Sequence, residues 1–185
     1  LIHSFVPELP ADAVAKELIP HVQSLTAAID AAVAGSPGYQ AKLAAAAAHM
    51  PMTAQILTGG IVANKHLDGN VGGTAATVRA VLTAQLVDHV WLAGNALDTA
   101  VDKGGNLKDP AVKGAVAALD ANSVALAKTL GSVYPKAQAP FLASWRQHIG
   151  FFVNYTLGKA TKNAAMVSKA RSDLDSYRTS FGQLI

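Results

Sequence analysis

The sequence predicts an all-α protein, an up-down helical bundle of about six helices. Alanine is abundant and alternation of apolar and polar residues is not sustained anywhere, which favours helix over strand. Turn-forming residues divide the chain into six segments in which apolar residues recur every three or four positions, as on the buried face of a helix. No apolar run reaches the ~18 to 20 residues that a membrane span needs.

The first two predicted helices cover residues 11–34 and 39–64. Pro10 precedes the first helix, and the turn-forming run at 35–38 ends it. A glycine-rich segment at 65–74 follows the second helix and is the best candidate for a linker. We therefore predict a two-helix piece over residues 11–64.

Four more helices are predicted after the glycine-rich segment. Asp109 stands where an N-cap residue is preferred, and Pro110 occupies a first helical position. The four predicted ranges are 75–102, 110–132, 138–160 and 163–183. They form a four-helix piece over residues 75–185. Two helices alone bury little apolar surface, so we expect both pieces to share the core of a single domain spanning residues 1–185.

Composition excludes several functional classes. The chain has 185 residues, of which 51% are hydrophobic, and its net charge of +3 comes from scattered basic residues that form no stripe for nucleic acid. It has no cysteine, so disulfides, thiolate catalysis and iron–sulfur clusters are excluded. It contains no Glu-x-x-His pair, which excludes a ferritin-like di-iron centre. Nucleophile, P-loop and dinucleotide motifs are also missing, and we predict a non-enzymatic protein.

Four histidines lie on apolar helix faces near the middle of their segments: His21, His49, His89 and His148. Up-down packing brings such positions to similar depth, and imidazole is the commonest transition-metal ligand. Met52 follows His49 by one helical turn and adds a thioether, which suits copper. The sequence thus predicts transition-metal binding, copper first, through some of these histidines with Met52 as an accessory ligand.

Other interpretations of the same residues remain open. Paired histidines beside aromatic side chains, among them Trp91 and Trp145, would suit a b-type haem, or the aromatic residues form a plain core. The protein can also be a structural or interaction module in which each histidine bonds a core partner such as Asn122. Glu17, four residues before His21, can orient the His21 ring or pair with a neighbouring lysine.

Several runs of residues resemble a group of bacterial helical-bundle proteins. The group is mostly unassigned and secreted, and some members carry an automatic copper amine oxidase label. The runs lie at residues 86–92 (LVDHVWL), 121–126 (ANSVAL), 132–134 (SVY) and 147–153 (QHIGFFV). The group has a histidine on its first, third, fifth and sixth helices. His89 and His148 match the first two, and residues 20–22 (PHV) and 49–54 (HMPMTA) look like the last two.

The resemblance covers nearly the whole chain, but the helix order is permuted. It implies either a piece cut across the junction of a tandem repeat or a genuine permutation, with the segment at 65–74 as the junction. A cut repeat would have its ends covered by a neighbouring repeat or a second copy, so self-association is expected. The resemblance also implies an extracytoplasmic location, and it supports the fold and the histidine set rather than a reaction.

Overall fold

A computed structural model describes residues 2–184 of the chain, with residues 2 and 3 described by their backbone alone. This part is α-helical without strands, which confirms the predicted fold class. The helices are α1 (Ile2–Phe5), α2 (Ala11–Val33), α3 (Tyr39–Ala48), α4 (Met50–Lys65), α5 (Thr74–Asp102), α6 (Pro110–Gly131), α7 (Gln138–Ala160) and α8 (Ala164–Leu184), with a short 3₁₀ turn, Pro135–Ala137, before α7. None of the described helices is long and apolar enough to cross a membrane.

The six predicted segments correspond to the long helices, and the second of them is divided into α3 and α4. The division falls at His49, two residues before Pro51, because proline lacks the N–H that would continue the helical ladder. His49 keeps helical dihedral angles, so the interruption is local. At the start of α6, the Asp109 carboxylate accepts a hydrogen bond from the Ala111 amide at 2.8 Å, which confirms the predicted N-cap.

The chain forms two compact units that divide within α5, between Val87 and Asp88. The sequence instead suggested a division at residues 65–74. In the first unit α2 packs against α3 and α4. The segment at 65–74 is tied to α4, since the Gln55 side-chain amide donates to the Val71 carbonyl oxygen at 3.3 Å. The glycine-rich segment therefore belongs to the first unit.

In the second unit α7 packs against α6 on one side and α8 on the other. Helix α6 supplies much of the core, with fully buried side chains at Val112, Ser123 and Leu126. Helices α7 and α8 approach closely at Gly158, where an added Cβ would lie 3.0 Å from the Val167 backbone nitrogen. Gly158 thus permits a close crossing of the two helices.

Two glycines of α7 should respond oppositely to alanine. A Cβ at Gly150 would meet no atom within 4 Å, so Gly150→Ala is expected to stabilise the protein by about 0.5–1 kcal/mol through helix propensity. Gly158→Ala places its Cβ against the α8 backbone and is expected to destabilise the protein by about 1–3 kcal/mol. Urea unfolding followed by circular dichroism measures both changes. Equal effects of the two substitutions would contradict the close approach of α7 and α8.

The aromatic residues expected to form a core divide between the interior and the surface. Trp145 packs among rings of α5, α7 and α8, as expected. Trp91 is 71% exposed, so its assignment to the core is wrong. It lies two residues after the buried His89 and therefore on the other side of α5.

Candidate functional site

Two of the four predicted histidines pack against each other in the second unit. His89 lies on α5 and His148 on α7, and each is only 8% exposed. Their ring centroids are 5.5 Å apart. Trp145, one turn before His148, contacts both rings, with centroid distances of 4.9 Å to His89 and 4.6 Å to His148. The inward faces of α5 and α7 thus create a pair of buried imidazoles beside an indole.

The Nδ1 atom of His89 has two polar neighbours. It lies 3.3 Å from the Asn122 side-chain oxygen on α6 and 3.3 Å from the indole nitrogen of Trp145. An indole N–H only donates, whereas an amide oxygen only accepts, so the two neighbours favour different tautomers of the imidazole. When Nδ1 carries the proton and donates to Asn122, the lone pair of Nε2 is available to a ligand. Asn122 is thus a core partner of His89, as the sequence indicated.

Aromatic side chains surround the pair. His148 stacks on Tyr177 of α8, with centroids 5.1 Å apart and planes inclined by 22°. The edge of Phe152 meets His148 at 6.1 Å, and Trp145 stacks on Phe141 at 5.2 Å. These rings remove water from the imidazoles without offering them a charged partner.

The environment keeps both imidazoles neutral. Burial lowers the pKa of His89, although the hydrogen bond with Asn122 opposes the shift. Burial also lowers the pKa of His148 to about 4, and the neighbouring His89 disfavours a second positive charge. At neutral pH both rings are therefore uncharged, which is the form that binds metal ions and accepts hydrogen bonds.

A pocket of about 570 Å³ opens between α5, α6 and α7, with His89 and His148 in its wall. Most of its lining is aliphatic. Asp120 and Arg146 also reach it, but they bind each other through two hydrogen bonds of 2.7 and 2.8 Å. Thr156 contributes one further polar side chain. The pocket is therefore an apolar space whose unpaired polar groups are few.

The other two predicted histidines lie in the first unit. The Nε2 atom of His49 is 3.0 Å from a carboxylate oxygen of Glu17 and 3.2 Å from the Glu17 carbonyl oxygen. Thr53 donates to the same carboxylate at 3.4 Å. Glu17 thus orients His49 rather than His21, because the packing of α2 on α4 brings a partner from another helix within reach. The Nδ1 atom of His21 is buried and makes no hydrogen bond with the described residues.

The described residues do not gather the predicted ligands into one centre. No group of three His, Cys, Asp or Glu side chains in this part of the chain is arranged to hold a metal ion. Met52, the predicted accessory ligand, is 57% exposed. The structure thus brings together His89 with His148, and His49 with Glu17.

Sequence reasoning missed the pocket. The available signal was a stripe of small residues on α5, Ala93, Ala96 and Ala100, at helical spacing on the face that carries His89. Small side chains on an inward face either allow close helix packing or leave space, and only the positions of α6 and α7 distinguish the two outcomes.

Comparisons with protein-family models, with curated proteins and with solved structures gave no match. The fold and the site define an all-α protein with an apolar pocket beside a histidine pair. The resemblance to bacterial helical-bundle proteins stays a prediction.

Proposed function

We propose that the second unit binds a small, largely apolar and uncharged molecule in the pocket between α5, α6 and α7. The observation that supports this is the pocket itself, whose volume of about 570 Å³ lies within the ~300–1,000 Å³ typical of small-molecule sites. Apolar walls with a few polar groups are also typical of such sites. The function we infer is binding, without a chemical step.

The polar groups of the pocket define the class of ligand. The carboxylate of Asp120 and the guanidinium of Arg146 neutralise each other, so this part of the lining carries no net charge that would attract a charged ligand. The imidazoles of His89 and His148 are neutral, so each can donate one hydrogen bond to, or accept one from, a hydroxyl, amine or carbonyl group of the ligand. An uncharged molecule with an apolar body and one or two such groups fits this lining.

The mouth of the pocket gives a further argument. Val90, Val116 and Phe152 all line it and remain exposed to solvent. When a ligand covers apolar side chains at the edge of a cavity, their surface is removed from water, and this burial favours binding. A bound molecule would shield these residues as well as fill the interior.

Haem b fits this lining less well. Its apolar ring and an imidazole ligand suit the pocket, but its two propionates need basic partners, and Arg146 is already paired with Asp120. Titration with haemin tests this directly. We expect no Soret band above that of free haemin, and a stoichiometric band lost in His148→Leu would identify haem as the occupant instead.

The uncharged fluorescent probe N-phenyl-1-naphthylamine tests the proposed function. We expect one equivalent to bind with increased fluorescence. Ala93→Trp fills the pocket from α5 and is expected to weaken binding at least ~10-fold, since the probe and the indole would compete for the same space.

Ala121→Trp is the matched control, because Ala121 is exposed on α6 and does not line the pocket. It should bind the probe like the unsubstituted protein. Failure of the unsubstituted protein to bind, or equal loss in the two tryptophan variants, would overturn the assignment of the pocket as a ligand site.

A further inference from the structure

We propose that His89 and His148 form a two-coordinate copper(I) site in the core of the second unit. The proposal concerns a metal ion held by the same two imidazoles that line the pocket, and it is tested without any organic ligand. Its geometric basis is the contact between two buried imidazoles from different helices, whose ring centroids lie 5.5 Å apart.

The surroundings prepare one ring for coordination. A histidine that binds a metal commonly donates its second ring N–H to a carbonyl or carboxylate, which fixes the tautomer and the ring orientation. Asn122 provides such an oxygen 3.3 Å from Nδ1 of His89. In the tautomer in which Nδ1 donates to Asn122 rather than accepting from the Trp145 indole, the Nε2 atom of His89 is the metal donor. His148 is held between Trp145 and Tyr177 by ring contacts on both sides.

The choice of metal follows from what the site offers. Zinc in proteins takes four ligands or three with water, and calcium and magnesium require several oxygens. Copper(II) prefers four donors in a tetragonal arrangement. The pair offers two neutral nitrogens, and no third His, Cys, Asp or Glu of the described chain completes a cluster. Copper(I) is stable with as few as two such donors, and imidazole suits copper.

Charge favours the same ion. The rings of Trp145, Tyr177 and Phe152 pack on the pair, and the acid of the pocket lining, Asp120, is already paired with Arg146. Burying a charge without a counter-charge costs free energy that rises steeply with the charge. A monovalent ion therefore fits this apolar enclosure better than a divalent one.

Anaerobic titration with copper(I) against a chromophoric copper(I) chelator tests the proposal. The expected result is one equivalent bound per chain. Bound copper should also quench the fluorescence of Trp145, whose ring lies within 5 Å of both imidazole centroids. The quenching is measured in a Trp91→Phe background, because Trp91 is exposed and would obscure the signal.

A matched pair of substitutions at His148 separates coordination from packing. Methionine and leucine have similar volumes and both suit an apolar site, but only the methionine thioether is a copper(I) ligand. His148→Leu is expected to lower copper(I) affinity by ~100-fold or more, whereas His148→Met should keep most of it. Asn122→Ala should weaken binding by ~10–100-fold through loss of ring orientation.

Two results would overturn the site. One is the absence of copper(I) uptake by the unsubstituted protein, and the other is equal affinity in the leucine and methionine variants. Loss of binding in His49→Ala, with retention in His148→Leu, would place the copper in the first unit and also contradict the proposal. The titration contains no organic ligand, so its failure leaves the proposed small-molecule function untouched, and failure of the probe leaves the copper result untouched.

Discussion

Replacing Trp145 by alanine is expected to lower the free energy of unfolding of the second unit by about 3 kcal/mol. The indole contacts rings on three helices, since it meets His89 of α5, Phe141 and His148 of α7, and Phe181 of α8. Truncation of a buried Trp costs about 3–5 kcal/mol. We expect the lower end of this range because Trp145 is half-buried.

Trp145→Phe is the control, because it keeps an aromatic ring in the cluster while losing the N–H directed at His89. It should cost much less, about 1 kcal/mol, and it should leave Nδ1 of His89 to Asn122 alone. Urea unfolding followed by circular dichroism gives both values without depending on tryptophan emission. Similar costs for the two variants would show that the indole N–H, rather than ring packing, stabilises the cluster.

Helix boundaries were predictable because local chemistry decides them. Asp109 and Pro110 set the start of α6 through a cap and a fixed φ angle, and neither depends on distant residues. The interruption at His49 is likewise a local consequence of Pro51. The spacing of apolar residues continues across it, however, and predicts a single helix over 39–64.

Partners across helices were less predictable. The four-residue spacing of Glu17 and His21 on one helix indicated that the Glu17 carboxylate can orient the His21 ring. In the structure this carboxylate instead binds His49 of another helix. Helical periodicity states which face is inward and leaves open which residue of the facing helix it meets. The same ambiguity explains why periodicity predicts that some of the four inward histidines meet without saying which, whereas ring contact in the described residues joins His89 and His148.

The pocket required more than periodicity. Ala93 and Gly94 on α5 and Gly150 on α7 line the pocket, and a Cβ added at either glycine would meet no atom within 4 Å. A sequence gives the sizes of side chains but not the distance between helices, which depends on all contacts of the bundle together. The proposed ligand-binding function therefore rests on the pocket and its lining residues rather than on a sequence motif.

Acidification of the metal-free protein is expected to destabilise the second unit by about 2–3 kcal/mol through His148. Burial holds the pKa of His148 at about 4 in the folded state, against an ordinary value of 6.5. As the pH falls below 6.5 the unfolded chain takes up a proton that the folded chain refuses until about pH 4. Proton uptake therefore lowers the free energy of the unfolded state relative to the folded state through this window, by ~1.4 kcal/mol for each unit of pKa difference.

The groups that face His148 determine how the effect is isolated. His89 also has a lowered pKa and adds a contribution of the same sign, whereas burial raises the pKa of Asp88, whose contribution has the opposite sign. Tyr177 does not titrate in this range. His148→Leu keeps His89, Asp88 and Tyr177 and removes only the His148 imidazole. The difference in unfolding free energy between the two proteins, measured by urea titration from pH 7.5 to 4.5, therefore isolates the contribution of His148. If that difference stays constant across the window, His148 takes up its proton as readily in the folded protein as in the unfolded chain, and it is more accessible to water than its packing against Trp145 and Tyr177 implies. A difference that shifts in favour of the leucine variant as the pH falls means that the core holds a neutral imidazole, the form that the copper(I) site requires.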